Sequence, residues 1–189
     1  MKMLFSLVLA AGFCSSPGLM AQQGCCGVFL TAGDFSAGKA LLVETGKTGS
    51  QVSAGDLLNG KHLFVSQSGS IRRIDTRNVY AVQCCDGRIV RIYREGYYTL
   101  VNPGERILLY KVTRNPVCKG DIFRIKYFFS KDAGSDIEEL TRDNLKAAFP
   151  DNHAFDDAVD NQFRADDELY AYDNFHKCYK LNRVYSVNN

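Results

Sequence analysis

The sequence is poor in several features on which catalytic and metal sites depend. Its 189 residues include no tryptophan and only three histidines. No pair of histidines or cysteines has the spacing of a zinc site. A glycine-rich phosphate loop and the Gly-x-Ser-x-Gly of a serine nucleophile are also missing. No catalytic residue, metal ligand or cofactor site is therefore predicted from a motif.

Long hydrophobic runs are missing after the first segment of the chain. Leu4 to Phe13 is apolar, follows a short basic start and has the length of the central region of a signal peptide. We predict that residues 1–21 are removed by cleavage between Ala21 and Gln22. Since no later run approaches the ~18 apolar residues of a membrane helix, the mature protein is expected to be soluble and periplasmic or secreted.

Lipidation is the alternative fate of this N-terminal segment. Cys14 and Cys25 are the two candidate acceptors. Phe13 is too bulky for the position before a lipidated cysteine, and the residues before Cys25 are polar. The sequence therefore favours simple cleavage over a lipid anchor.

Cysteine content agrees with export. Six of the seven cysteines remain after the predicted cleavage, and an even number in an oxidising compartment indicates disulfides. Adjacent residues on a strand point to opposite faces, so each neighbouring pair is expected to have two different partners. The sequence leaves the pairing open. The candidates are Cys25, Cys26, Cys84, Cys85, Cys118 and Cys178.

Some of these cysteines superficially suggest a nucleophile. Gln23 to Gly27 lies near the mature N-terminus with His153 far downstream, which is the order found in papain-like proteases. The aromatic residue expected after the cysteine is replaced by Val28, and no helix carries the cysteine. A structural role is the better interpretation.

The middle of the chain predicts an antiparallel sheet. Asp86-Gly87 between two apolar runs is a strong hairpin signal, and Asn102 to Glu105 forms a second turn. The strand candidates are Ala40 to Thr45, His62 to Ser66, Val79 to Cys84, Arg88 to Tyr93, Tyr97 to Val101, Arg106 to Thr113 and Asp121 to Ser130.

Helical patterns follow the sheet. Thr141 is the expected N-cap of a helix that Pro150 ends. A second helix is predicted to start after Asn152 and to run to about Phe163, and a third to run from near Asp166 to about Leu181. We therefore predict an α+β fold, with an antiparallel β-meander, small barrel or sandwich before about three helices. Residues 22–189 would form one domain, β-rich over 27–130 and helical over 136–182.

One segment is dense in potentially catalytic side chains. FPDNHAFDDAVDNQF, residues 149–163, holds His153 and four aspartates. At about 100° per residue, Phe155, Val159 and Phe163 share one side of a helix, whereas His153 and Asp157 lie opposite. This pattern is typical of a surface helix. Two side chains do not make a metal site, but a hydrolase that uses carboxylates or His153 stays as the alternative function.

Charge and aromatic residues suggest binding instead of catalysis. Residues 22–135 hold 16 Lys/Arg against 9 Asp/Glu, and residues 136–189 hold 6 against 12. Either the charges of these two ranges complement each other within the fold, or the basic range binds an anionic glycan. Nucleic acid is not expected, since the basic residues are dispersed and the chain is exported. Tyr93, Tyr97 and Tyr98, around one hairpin, are the candidate binding residues, although packing explains them too.

Several stretches resemble known sequences. NVYAVQCCDGRIVRIY, LTRDNLKAAFPDNHAF and YDNFHKCYKLN are similar to segments of a group of small exported proteins from Gram-negative gut-type bacteria. The resemblance runs through most of the mature chain. It implies export but no activity, and no functional residue follows from it.

The sequence thus predicts a non-enzymatic exported binding module for a protein or glycan, with the cell envelope as the expected source of partners. A self-associating envelope component is a third hypothesis. No cofactor is predicted.

Overall fold

A computed structural model describes residues 27–43, 62–67, 70–84, 86–114 and 124–189. Within these residues ten strands form one sheet in which all neighbours are antiparallel. The strands are β1 (Gly27–Phe29), β2 (Leu41–Val43), β3 (His62–Gln67), β4 (Ser70–Asp75), β5 (Ala81–Gln83), β6 (Ile89–Tyr93), β7 (Gly96–Leu100), β8 (Leu108–Arg114), β9 (Arg124–Ser130) and β10 (Glu138–Glu139).

The sheet consists of two meanders joined at β1. Strands β1 to β4 lie in sequence order, and so do β5 to β10. Strand β1 pairs with β2 on one side and with β5 on the other, so the N-terminal strand connects the two. The predicted α+β class with an antiparallel meander is confirmed.

The hairpin turn at Asp86-Gly87 shows how the sequence determines this register. Gly87 has φ of +84°, a conformation that glycine adopts without steric cost. The Gly87 amide donates to Cys84 O over 2.9 Å, and the Cys84 amide donates to Arg88 O over 2.7 Å. These bonds fix β5 against β6 in the predicted pairing.

Four α-helices accompany the sheet in the described residues. Thr141 and Asn152 are confirmed as N-caps, because their side chains accept hydrogen bonds from the amides of Asn144 at 3.1 Å and Phe155 at 3.0 Å. None of the described helices is long and apolar enough to cross a membrane. The helices are α1 (Ala32–Ser36), α2 (Arg142–Ala148), α3 (His153–Gln162) and α4 (Lys180–Val187).

The predicted third helix, Asp166 to Leu181, is wrong over most of its length. Asp166–Glu168 is a 3-10 turn, and a short hairpin of β11 (Tyr172–Asp173) and β12 (Cys178–Tyr179) precedes α4. The Asp173 carboxylate accepts from the amides of Phe175 at 3.0 Å and His176 at 3.1 Å. Because this turn satisfies the backbone locally, it competes successfully with the helix.

The main core lies between the helices and the side of the sheet that carries Leu109 and Phe129, called here the helix face. Helix α3 contributes the predicted side, since Phe155, Val159 and Phe163 are completely buried. Fully or nearly fully buried residues from both layers complete this core: Ile107, Leu109, Phe129, Leu140, Leu145, Phe155, Val159, Phe163, Leu169, Leu181, Val184 and Tyr185.

The opposite side of the sheet, the far face, is also covered. Helix α1 and the segment after β9 pack on it through Phe35, Ala133 and Ile137. Tyr80 strengthens this layer, since its hydroxyl donates to Ala133 O over 2.6 Å. The sheet is thus covered on both sides where β8 carries Leu108, Leu109 and Tyr110 and β9 carries Phe129.

A candidate binding cleft at the β6–β7 hairpin

The three candidate tyrosines lie on the same hairpin but do not share a surface. Tyr97 pairs with Ile92, and Tyr98 pairs with Arg91. Since neighbouring side chains on a strand point to opposite faces, Tyr97 belongs to the helix face, beyond the helices, and Tyr98 to the far face. Tyr97 is 50% exposed, whereas Tyr93 and Tyr98 are half-buried.

Tyr93 and Tyr98 are placed for packing. The Tyr98 ring meets the rings of Phe128 and Tyr110 edge-on, with centroids 5.2 Å and 6.3 Å apart. Tyr93 packs edge-on against Tyr98 at 6.4 Å. Such arrangements stabilise aromatic pairs. Their binding role stays a prediction, and only Tyr97 presents a substantially open ring.

The turn that precedes Tyr97 is strained. Arg94 and Glu95 have φ of 45° and 61°, and they form the two-residue connection between the paired Tyr93 and Gly96. Turns with two positive φ values match the twist of a hairpin but favour Asn-Gly or Gly. Non-glycine residues in this conformation cost energy and concentrate at functional sites.

Gly96 is required next to this turn. A Cβ at this position would lie 2.7 Å from Cε2 of the Tyr98 ring. The absence of a side chain lets Tyr98 fold back over the strand. The positive φ values of Arg94 and Glu95 and the missing side chain of Gly96 together determine the backbone that leads into Tyr97.

Arg77 brings a positive charge to the same side of the hairpin. It belongs to a 3-10 turn, Thr76–Asn78, capped by Asp75. Its guanidinium makes two bonds to the Asp75 carboxylate, Nε–Oδ1 at 3.1 Å and Nη2–Oδ2 at 2.8 Å. The side-chain hydrogen bond from Arg77 holds the pKa of Asp75 well below its usual range, and Asp75 in turn raises the pKa of Arg77.

These elements enclose a cleft of about 280 Å³, called here the Tyr97 cleft. Its floor is apolar, because Val79 is buried and Ile92 half-buried. Its walls combine an aromatic ring with charged side chains. The lining residues are Thr76, Arg77, Val79, Ile92, Arg94, Glu95 and Tyr97.

A smaller cleft beside it extends the positive surface. Arg72 and Arg73 are exposed on β4 and line this space of about 160 Å³ together with Asp75. Across both clefts the lining includes four arginines and two acids, Asp75 and Glu95. The local balance is therefore positive.

Arg94 lines the Tyr97 cleft but its charge is held elsewhere. The guanidinium pairs with Asp136 at 3.2 Å and lies over the Tyr93 ring, with Cζ 5.0 Å from the centroid. Both partners belong to the far side of the hairpin. Arg77 is also paired, with Asp75, but its partner lies on the same side of the hairpin as the cleft, and its side chain is the more exposed of the two, at 87% against 74% for Arg94.

Sequence reasoning missed a buried cation, Arg91, which is only 5% exposed. Its guanidinium donates to Tyr110 Oη at 3.0 Å, Ser130 Oγ at 3.2 Å and Ser135 O at 2.8 Å. The Tyr80 ring lies 4.8 Å from Cζ. A signal was present, because Arg91 shares its strand face with apolar residues at positions 89 and 93. Arg91 holds the segment after β9 against the far face of the β6–β7 hairpin.

The cluster of histidine and aspartates on α3 is a surface, as predicted. His153 and Asp157 are exposed. Asp160 pairs with Lys146 and Arg142 of the preceding helix. His176 is exposed and bonds to Asp173, with Nδ1 2.8 Å from Oδ2.

Two of the six disulfide candidates fall in the described residues. Cys84 is buried, Cys178 is half-buried, and each is a free thiol. Burial raises the pKa of both thiols. Cys25, Cys26, Cys85 and Cys118 lie outside the described residues, as does the predicted signal peptide.

No group of three or more histidine, cysteine or acidic side chains that would hold a metal ion occurs in the part of the chain that the structure describes. Comparison with known proteins found no matching family model, curated protein or solved structure. The geometry of the cleft therefore carries the functional argument.

Proposed function

We propose that this chain is a non-enzymatic exported module that binds an anionic glycan of the cell envelope in the Tyr97 cleft. The observation that carries the proposal is a half-exposed Tyr97 ring beside the exposed guanidinium of Arg77, whose Nε and Nη2 are bonded to Asp75. A sugar ring can pack its C–H face on an aromatic side chain, and a uronate carboxylate can accept from a guanidinium.

The neighbouring arginines support this choice of ligand. Arg72 and Arg73 line the neighbouring cleft and add positive charge for further units of a chain of acidic sugars. Electrostatic attraction over several sugar units compensates for the modest size of the cleft. A partner protein is the other binding hypothesis, and it would not require sugar in the cleft.

A calorimetric titration tests the proposal. The probe is a galacturonic-acid oligosaccharide, and a neutral galactose oligosaccharide of the same length is the ligand control. Replacing Tyr97 with Ala removes the platform and is expected to weaken binding at least about tenfold, as loss of a central aromatic contact does. Tyr172→Ala is the matched protein control, since Tyr172 is similarly exposed, at 47%, on another hairpin.

Three results would count against the proposal. The first is equal binding by Tyr97→Ala and Tyr172→Ala. The second is equal affinity for the neutral and the acidic oligosaccharide, and the third is no binding of either sugar. Shortening of the oligosaccharide during the titration would favour the hydrolase alternative, and His153→Ala would then show whether His153 takes part.

A further inference from the structure

A second cleft opens on the far face, between α1 and the segment after β9. Its volume is about 400 Å³, which lies in the range of roughly 300–1,000 Å³ that ligand cavities occupy. It shares no described lining residue with the Tyr97 cleft. The lining of this cleft, called here the Phe35 cleft, includes Phe29, Phe35, Arg106, Leu108, Asp132 and Ala133.

The floor of the Phe35 cleft is apolar. Phe29, Leu108 and Ala133 line it and are buried. Phe35 is half-buried and meets Phe29 edge-on, with ring centroids 5.3 Å apart. An apolar group of a ligand would be removed from water on this floor, which favours binding. The cleft therefore suits a molecule with a hydrophobic part.

Arg106 adds a positive charge to the wall of the cleft. It is exposed, and its guanidinium makes no hydrogen bond or ion pair with the described residues. The neighbouring Glu105 does not compete for it, because the Glu105 carboxylate accepts from Asn102 Nδ2 and from the Tyr179 amide, each at 3.2 Å. A guanidinium can bind a carboxylate through two parallel hydrogen bonds. Arg106 is thus available to an anionic group of a ligand.

Asp132 adds a negative charge to the same cleft. Its Oδ1 accepts from the amides of Gly134 and Ser135 and from Ser135 Oγ, each at 2.8 Å. Burial raises the pKa of this carboxyl, but these hydrogen bonds and the charge of Arg106 lower it below its usual range. Asp132 is therefore ionised at neutral pH. Its Oδ2 accepts no hydrogen bond from the described residues and is available to a cationic group.

Arg106 and Asp132 line one cleft without pairing with each other. A molecule that carries a carboxylate beside an ammonium group can bind both at once, while its apolar part occupies the floor. We propose that the Phe35 cleft binds a free amino acid with a large apolar side chain. Its carboxylate pairs with Arg106, its ammonium group pairs with Asp132 Oδ2, and its side chain packs against Phe29 and Phe35.

Amide chemical shifts of the labelled full chain test the proposal, because they locate a ligand and measure weak as well as tight binding. L-Phenylalanine is the probe. 3-Phenylpropionate lacks only the ammonium group, and 2-phenylethylamine lacks only the carboxylate. We expect the largest changes around Phe35 and Ala133. The dissociation constant of each analogue should be at least about tenfold higher than that of L-phenylalanine, since each lacks one charge-assisted bond.

Two substitutions assign the two charged groups of the ligand. Arg106→Gln should remove the advantage of L-phenylalanine over 2-phenylethylamine and keep its advantage over 3-phenylpropionate. Asp132→Asn keeps the side-chain oxygen that the local turn uses, and it should remove only the advantage over 3-phenylpropionate. Arg164→Gln and Asp157→Asn are the matched controls at exposed positions outside the cleft, and they should change neither ratio.

A third substitution tests the location without changing a charge. Ser36 is an exposed lining residue, whereas its exposed neighbour Ala37 does not line the cleft. Ser36→Trp should fill the opening and weaken binding of L-phenylalanine at least about tenfold, as loss of access to a cavity does. Ala37→Trp should bind like the wild type.

Four results would each overturn the proposal. The first is equal binding of L-phenylalanine and its two analogues by the wild type. The second is no change at the amides around the Phe35 cleft at the solubility limit of L-phenylalanine, and the third is changes centred on another part of the surface. The fourth is equal binding by Ser36→Trp and Ala37→Trp.

Discussion

The helical half and the hairpin end of this protein are built on opposite priorities. Under the helices, side chains such as Phe155 and Leu145 are completely buried in one cluster. At the hairpin end, Tyr97 is half-exposed and two consecutive residues, Arg94 and Glu95, have positive φ. The first region contains the buried side chains that stabilise the fold. The second contains an exposed aromatic ring and a strained turn, which lower stability and are expected where a surface has a function.

This difference separates stability from binding in the same sheet. Strands β6 and β7 continue from the covered part of the sheet to the Tyr97 cleft, so the core can hold a strained turn in place. Arg91 contributes to this support through its bonds to Tyr110, Ser130 and Ser135. A substitution in the core under the helices should therefore change stability much more than it changes the affinity of the Tyr97 cleft.

The largest expected effect comes from the helical half. Phe155 is completely buried and meets the rings of Phe149 and Tyr185 at centroid distances of 5.3 Å and 5.2 Å. Phe155→Ala leaves a cavity and should lower the free energy of unfolding by about 3–5 kcal/mol. Urea denaturation measures this loss. The folded fraction of Phe155→Ala molecules should bind the acidic oligosaccharide with the affinity of the wild type.

Asp157→Ala is the control on the exposed side of the same helix, with an expected change within about 0.5 kcal/mol. If the two substitutions were equally costly, the assignment of the buried side of α3 would be incorrect.

The buried side of α3 was predictable because its apolar and polar residues lie on opposite sides of the helix. Phe155, Val159 and Phe163 recur at the helical period, and nothing in that segment competes with the helix. The segment that follows has the same spacing but a different structure. Leu169, Tyr172 and Tyr179 also have helical spacing, yet Asp173 closes a hairpin there, because local hydrogen bonds outweigh a weak periodicity.

A smaller effect of opposite sign is expected from the strained turn. Glu95→Gly places the residue that tolerates φ of 61° best and should stabilise the protein by about 0.5–1 kcal/mol. Glu95→Ala removes the same carboxylate but keeps a Cβ, so it should bring no such gain. Urea midpoints of the two variants make the comparison, and equal midpoints would show that the turn is not strained.

The candidate cleft was only partly predictable. A period of two already implies that Tyr97 and Tyr98 point to opposite faces, so their separation could have been foreseen from the strand assignment. The proximity of Arg77 was implied as well, because the predicted β5–β6 hairpin, extended in its register of Ala81 with Arg91, brings residues 77 and 78 near Arg94 and Glu95. The 3-10 turn at Thr76–Asn78, which positions the Arg77 side chain, was not predicted from the sequence pattern.

The smallest effect concerns the β11–β12 hairpin and depends on pH. The backbone amide of His176, its side chain and the Phe175 amide lower the pKa of Asp173 from 3.8 to about 2. The ionised form is thus favoured in the folded state, so its stabilisation is present above about pH 4 and is lost as the pH falls toward 2. The difference in urea midpoint between wild type and Asp173→Asn should narrow over that range.

Asp157→Asn, on the exposed side of α3, is the control for this titration. A wild-type advantage over Asp173→Asn that stays constant from about pH 5 to pH 2 would contradict the role given to the Asp173 carboxylate.

The central claim is that the Tyr97 cleft, and not the rest of the surface, binds an anionic glycan. Amide chemical shifts of the labelled protein, followed during titration with the galacturonic-acid oligosaccharide, test it most directly. Binding in the Tyr97 cleft should give the largest changes at Thr76–Asn78 and Arg94–Tyr97, and small ones on α3 and the β11–β12 hairpin. Changes centred on the helices, or no changes at saturating sugar, would contradict it.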